Sequence, residues 1–443
     1  MKLQLSEHFT YSKLLRFTFP SIIMMIFTSI YGVVDGIFVS NFVGKTSFAA
    51  INLIMPFLII FGAIGFMIGT GGSALVAKTM GEGDAKRANR IFSMLIFVSV
   101  ALGVALSVLG IAFLEPIARL LGAEGRMLED CVLYGRIILI ALTAFILQNE
   151  FQSFLIAAER PTLGLWITVA AGVTNIVLDA LFVGLFDWKL VGAAAATAIS
   201  QTVGGIIPLL YFALPNKSLL HLTRFTFDGA ALLKACTNGS SEMMTNLSMS
   251  LVNILYNFQL MKYAGEDGIA AYGVIMYVGF AFVAIFIGYS IGVAPIIGYH
   301  YGAGNHSELK SLFRKSLWVL AACSLLMTAS AELLASPLSR IFVGYDAALL
   351  AMTTRAFMLY SLCFLVLGFN IFASSFFTAL NDGLVSGMLS FLRTLLFQVA
   401  TILLLPMIWE LDGVWLAIVA SELIALFVTI FCFFRFKEKY HYI

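Results

Sequence analysis

Twelve apolar stretches, each long enough to cross a bilayer at about 20 residues, follow one another along the chain, separated by short charged or Gly/Pro-rich breaks. They run approximately Ser12 to Asn41, Phe48 to Met80, Ala88 to Leu114, Met127 to Ala157, Thr162 to Phe186, Leu190 to Ala213, Gly229 to Tyr263, Gly268 to Tyr301, Leu309 to Ala335, Leu349 to Ala379, Leu384 to Pro406 and Val414 to Phe434. A backbone in hydrocarbon must satisfy its own hydrogen bonds, so runs of this length predict helices. The second, seventh and eighth stretches exceed one bilayer thickness and are expected to tilt or project.

Composition fits this picture: 61% of the 443 residues are hydrophobic and 11% charged, which excludes soluble and disordered classes. The fold class expected is an all-α polytopic membrane protein. A net charge of +2 without a concentrated basic tract gives no reason to expect nucleic acid. The five cysteines stand far apart, so neither a disulfide framework nor a zinc site is expected. The opening Met1 to Arg16 is polar and amphipathic and does not read as a removed signal peptide. Most of the 26 Lys and Arg fall on the cytoplasmic side if the N-terminus is cytoplasmic. That bias predicts N- and C-termini inside an inner (cell) membrane. Arg393 is counted among those cytoplasmic residues.

Shifting the chain by 221 residues lays its second half on its first without a gap. Gly71 then meets Gly292, Gly81-Glu82-Gly83 meets Gly302-Ala303-Gly304, and Pro116 and Arg119 meet Pro337 and Arg340. Asn149 meets Asn370, and Gly192 meets Gly413. Matches at turns are the informative ones in so apolar a sequence. They predict two pseudo-symmetric six-helix bundles, residues 1–221 and 222–443, related by an axis along the membrane normal. Transporters use such a pair for alternating access.

Acids inside apolar spans are costly, roughly 2.5 to 3.5 kcal/mol at a helix centre, and should face protein or water. Five stand there: Asp35, Glu150, Asp179, Glu242 and Glu422. Asn175 and Asp179 are four residues apart and share a helix face. Asp35 and Asp179 both lie about two thirds along spans of the same direction, and Thr197 enters at a comparable level from the other side. Asp35, Asn175, Asp179 and Thr197 thus supply hard oxygen ligands and protonatable carboxylates suited to Na⁺ or H⁺. Glu242 sits among Thr237, Asn238, Ser240, Ser241, Thr245 and Asn246, too polar a run for a lipid-facing surface. It reads either as a counter-ion in a substrate cavity or as an acid at a helix start. Gln152, one turn from Gln148, faces inward, and Glu150 beside it is a further candidate for the cavity. Tyr31, Tyr256 and Asn257 complete the expected lining, and Glu422 reads as an interhelical contact.

The chain is similar over essentially its whole length to the multidrug and toxic compound extrusion (MATE) family. The residues that carry the likeness are Pro20 followed by Asp35-Gly36-Ile37-Phe38-Val39, then Gly69-Thr70-Gly71-Gly72-Ser73 through Gly81. They continue with Asn175-Ile176-Val177-Leu178-Asp179 and with Gly192-Ala193-Ala194-Ala195-Ala196-Thr197. Asn238-Gly239-Ser240-Ser241-Glu242, Gly292-Val293-Ala294-Pro295 and Tyr301-Gly302-Ala303-Gly304-Asn305 resemble the bacterial MepA-like branch. The resemblance implies an antiporter that exports amphipathic, often cationic drugs in exchange for H⁺ or Na⁺, with no cofactor. It also implies that the acids at Asp35 and Asp179 form the cation or proton site of the N-terminal bundle. A monomer is expected.

Two rivals remain. The resemblance also admits a flippase for lipid-linked precursors, from the wider superfamily that shares this arrangement; such a cavity should carry several central Arg or Lys, whereas the basic residues here cluster at loops. An intramembrane aspartyl protease would use Asp35 and Asp179, but neither stands in a Tyr-Asp or Gly-x-Gly-Asp context. Nothing resembles a phosphate-binding Walker loop, so direct ATP use is not expected.

Overall fold

A computed structural model of the chain describes residues 3–43 and 45–443, with the side chains of residues 33, 35–37, 39–41, 45 and 48 outside the description. Among the described residues every regular element is helical. The first half supplies α1 (Tyr11–Phe42), α2 (Lys45–Gly81), α3 (Ala85–Leu120), α4 (Gly125–Ile140), α5 (Leu142–Ala157), α6 (Pro161–Leu178) and α7 (Lys189–Ala213). The second supplies α8 (Gly229–Gly302), α9 (His306–Val343), α10 (Ala347–Ser361), α11 (Phe364–Ala379), α12 (Gly383–Phe391), α13 (Gln398–Leu404) and α14 (Pro406–Tyr440). A π-helical segment, Asp179–Leu185, continues α6, and another, Leu392–Phe397, joins α12 to α13.

Among the described residues nine helical stretches are long and apolar enough to cross a bilayer, with α12, the second π segment and α13 counted together as one (Gly383–Leu404), and the bent pairs α4–α5 (55°) and α10–α11 (48°) raise the number to eleven. α8 holds 74 residues, about 111 Å at 1.5 Å per residue, against roughly 30 Å of hydrocarbon. It turns back at Gly265, whose φ of 61° and ψ of −147° suit a residue without Cβ. α8 therefore provides two crossings, and the total is the twelve that the apolar pattern predicts.

The 221-residue repeat reappears in the caps and bends. Asp84 caps α3 by accepting from Arg87 N, and its counterpart Asn305 caps α9 by accepting from Glu308 N. Before each stands a glycine with positive φ, Gly83 at 86° and Gly304 at 66°. The α4–α5 bend falls at Ala141, and its counterpart Leu362 lies at the α10–α11 bend. The sequence reading draws each bent pair as one straight span. Neither bend contains a proline or glycine to announce it.

The two halves meet where α1 and α2 cross α8 with backbones nearly touching. A methyl group at Gly81 would lie 2.0 Å from Tyr299 O, one at Gly302 2.0 Å from Lys78 O, and one at Gly239 1.8 Å from Met67 O. Gly288 and Gly292 approach Ile22 and Thr18 of α1 in the same way. Asn381 adds a bond from Nδ2 to Ala74 O at 3.2 Å and accepts one from Asn238 at 2.6 Å. All these approaches use the start of α1, the end of α2 and the two extremes of α8. They lie on the face that carries both chain ends. On the opposite face Gly32 and Gly265 have open space around them.

Candidate functional site

The acidic pair of the first half sits at the junction of α6 with its π-helical continuation. Asn175 is 2% exposed and Asp179 0%. Asp179 opens the π segment, and its N–H still reaches Asn175 O. A π turn inserts one residue into the helical register, and such insertions recur at functional sites because they re-aim side chains. Gly172 lets α1 approach α6: a methyl there would lie 3.0 Å from Tyr31 Cδ1. The two helices run the same way, so one turn beyond Tyr31 brings the position of Asp35 level with residues 175–179. The Asp35 side chain itself lies outside the described residues. Thr197 on α7 is half-buried and gives its hydroxyl hydrogen to Ala193 O in its own helix. The bond that ties α7 to α6 here comes from Ser200, whose Oγ donates to Ala171 O at 2.8 Å.

A cavity with room for about 190 Å³ lies mainly in the second half. Glu242, Tyr256 and Tyr272 of α8, Arg393 of the second π segment and Glu422 of α14 line it, and α2 contributes Thr70 and Ser73. Tyr256 and Tyr272 stack with centroids 5.0 Å apart and planes within 6°. Tyr272 donates to Asn253 Oδ1 at 2.8 Å. Of the residues expected in the cavity, Glu242 and Tyr256 line it. Asn246 stands one turn above Glu242 and binds its carbonyl at 2.8 Å, while Asn257 is exposed on another face of α8.

Gln152 borders a separate small crevice with Gln148 and Thr168 in the first half. Glu150 is fully buried on α5 beside Ser99, where Gly69 of α2 lets the backbone pass close. Tyr31 packs against Phe27 and the Gly172 face of α6, with ring centroids 6.0 Å apart.

Arg393 corrects the sequence reading. Counted there with the cytoplasmic basic residues, it stands ten positions beyond Gly383, about 15 Å along the helix axis and so near mid-bilayer. Its side chain is 13% exposed and its Nε is 4.0 Å from Glu422 Oε1. The premise that all basic residues fall to loops therefore fails at this position. Glu422 is also fixed from the far side: Asn370 Nδ2 donates to Glu422 Oε2 at 2.8 Å, and Thr429 donates to Asn370 Oδ1 at 2.9 Å. The signal that could have found Arg393 is its place inside the eleventh apolar stretch, Leu384 to Pro406, where a basic residue is as costly as an acid.

Twelve crossings in two repeated bundles, closed together on one face and enclosing charged groups at bilayer depth, define a polytopic membrane transporter rather than an enzyme. The family model described as MatE matches residues 20–181 and 243–403, so the chain belongs to that family. The "Multidrug export protein MepA" of Staphylococcus saprophyticus subsp. saprophyticus is 23% identical over 425 residues, covering 93% of this chain and 91% of that one. The protein of the same description from Staphylococcus haemolyticus is 25% identical over 309 residues, 70% of this chain and 68% of that one. An outward-facing multidrug resistance MATE family transporter of the MOP superfamily shares the fold with a TM-score of 0.91, at 23% identity and 97% coverage of both chains. A MATE structure in complex with MaL6 gives 0.92 at the same identity and coverage.

Proposed function

We propose that this protein is a cation-coupled antiporter that exports amphipathic, often cationic, drugs or toxic compounds by alternating access. Entry of H⁺ or Na⁺ loads the site at Asp35, Asn175, Asp179 and Thr197. The bundles 1–221 and 222–443 then rock between two orientations about their glycine-lined contact. The solute occupies the cavity lined by Glu242 and Tyr256. Both termini lie in the cytoplasm, which makes the closed face the inner one and the state outward-facing. One charge moving through 100 mV supplies about 2.3 kcal/mol, enough with a chemical gradient to drive accumulation.

The observation that supports this reading best is the division of charge between the halves. Asp179 is buried in the first, away from a cavity in the second that carries its own acids. Ion and solute can then be coupled through movement of the frame rather than by direct contact. Export homologues from two staphylococci agree with the direction of transport. The test is efflux of a fluorescent organic cation from proteoliposomes with pH and Na⁺ gradients imposed separately. Efflux driven by one gradient is expected; efflux indifferent to both would refute antiport.

A further inference from the structure

The cavity of the second half has two poles of opposite sign, and a pocket for cations alone gives no reason for the positive one. Arg393 projects from a π-helical turn near mid-bilayer. A guanidinium presents up to five N–H donors in a planar fork suited to a carboxylate. Here the fork is little used. Its one acidic contact, Nε to Glu422 Oε1, is 4.0 Å, too long for a hydrogen bond, and Nη1 is buried without a hydrogen-bond partner. Glu422 is not free to close the gap, because Asn370 holds both its carbonyl, at 2.9 Å, and its second carboxylate oxygen, at 2.8 Å. The paired guanidinium of Arg355 shows the contrast, with bonds to Asp412 of 3.1 and 2.6 Å.

The other pole is Glu242, which faces the same cavity from α8 and lies within electrostatic reach of Arg393. The same cavity is lined in part by aromatic and thioether side chains: Tyr256, Tyr272, Met249, Met276 and Phe280. Such surfaces accept varied flat bodies. A purely cationic solute at Glu242 would be repelled by Arg393. A solute that brings its own carboxylate would turn that repulsion into a paired, charge-assisted contact.

We propose that Arg393 is the docking point for an oxyanion of the transported solute, and that the cavity selects amphipathic zwitterions whose carboxylate meets Arg393 and whose ammonium meets Glu242. This rests on the cavity's being the solute site and adds a class of substrate and a residue that discriminates it.

The test uses fluorescent binding of dansyl-lysine, an amphipathic zwitterion, and of its methyl ester, which keeps the ammonium and lacks the carboxylate, to purified full-length protein. Wild type is expected to bind the acid more tightly than the ester. Arg393→Gln should weaken the acid at least tenfold and leave the ester within about twofold, Arg393→Lys should fall between, and Glu242→Gln should weaken both. Equal losses of acid and ester in Arg393→Gln, or a tighter ester with an unchanged acid, would show that Arg393 is only an internal counter-ion and would overturn the proposal. Wild type binding the ester in preference to the acid would refute it while leaving the cavity as the solute site. Binding of neither compound would sink both readings.

Discussion

A residue's charge matters here chiefly through where the helix places it. Asp179 starts a π turn and is fully buried, so replacing it with an amide of nearly the same shape removes the ionisable group with little change in packing. Asp179→Asn and Asp35→Asn are each expected to abolish gradient-driven efflux while detergent-extracted protein keeps its helical content and elution volume. Full activity in both would remove these residues from the coupling site. Away from the bilayer, Asp382 precedes α12. Burial alone would raise its pKa, but hydrogen bonds from the Tyr440 hydroxyl, Val385 N and Lys439 outweigh burial and hold the carboxyl below its usual range. A depressed folded pKa stabilises the native state above the unfolded value and loses that contribution as pH falls through the folded one. The carboxylate's grip on the end of α14 should therefore weaken below about pH 4. Asp382→Asn should lower the melting temperature at pH 7 and reduce its fall between about pH 5 and pH 2, where the wild-type carboxylate loses its charge; an unchanged melting curve would show that α14 docks without it. The acids inside spans were legible in the sequence because each is costly enough to need a reason. Arg393 was equally costly, yet a count of basic residues by side of the membrane assigned it to a loop.

At the scale of elements, hydrophobic pattern carried the crossings but not their bends. Apolar runs mark where a helix begins and ends, whereas the bends at Ala141 and Leu362 depend on neighbouring helices and leave no proline or glycine behind. Gly265 is the exception, since its positive φ is the sort a glycine permits. The least legible element was the segment before α1, which the sequence showed only as polar and amphipathic. It straps the closed face. Leu5 N donates to Glu159 of the first half at 2.6 Å, and Phe9 N and His8 Nδ1 meet Glu308 of the second at 2.9 and 2.5 Å. Lys315 binds Phe9 O, and Leu5 and Phe9 are both fully buried. Burying two such side chains is worth about 1.5–3 kcal/mol each, spent across the seam between the halves. Leu5→Asp combined with Phe9→Ala should loosen that face. A thiol placed at the buried Ala77 should then react with a water-soluble maleimide several-fold faster than in the parent; unchanged labelling would show that the strap does not help hold the face shut.

The whole molecule is organised by that seam. The repeat made two bundles legible, because matching glycines, prolines and caps recur at a fixed offset. What the glycines do at the seam is visible only in space. Gly81 and Gly302 occupy matching positions in the repeat, and each removes a side chain where the partner bundle presents backbone, Tyr299 O to the one and Lys78 O to the other, both at 2.0 Å from an added methyl. A carbonyl cannot rotate aside as a side chain can, so a larger residue must push α2 and α8 apart. Overpacking of this kind costs typically 1–3 kcal/mol. Levied only where the faces meet, it would shift the balance between the closed and open arrangements of this face by a factor of about five to 150. Gly302→Leu should therefore leave helical content unchanged, slow gradient-driven efflux several-fold or more, and raise maleimide labelling at position 77. Gly273, eight residues past the turn at Gly265 and with open space around it, supplies the control: Gly273→Leu should do none of these. If Gly302→Leu transports at the parent rate with position 77 still protected, the two bundles do not depend on this close approach, and the conformational change must be sought within one bundle instead.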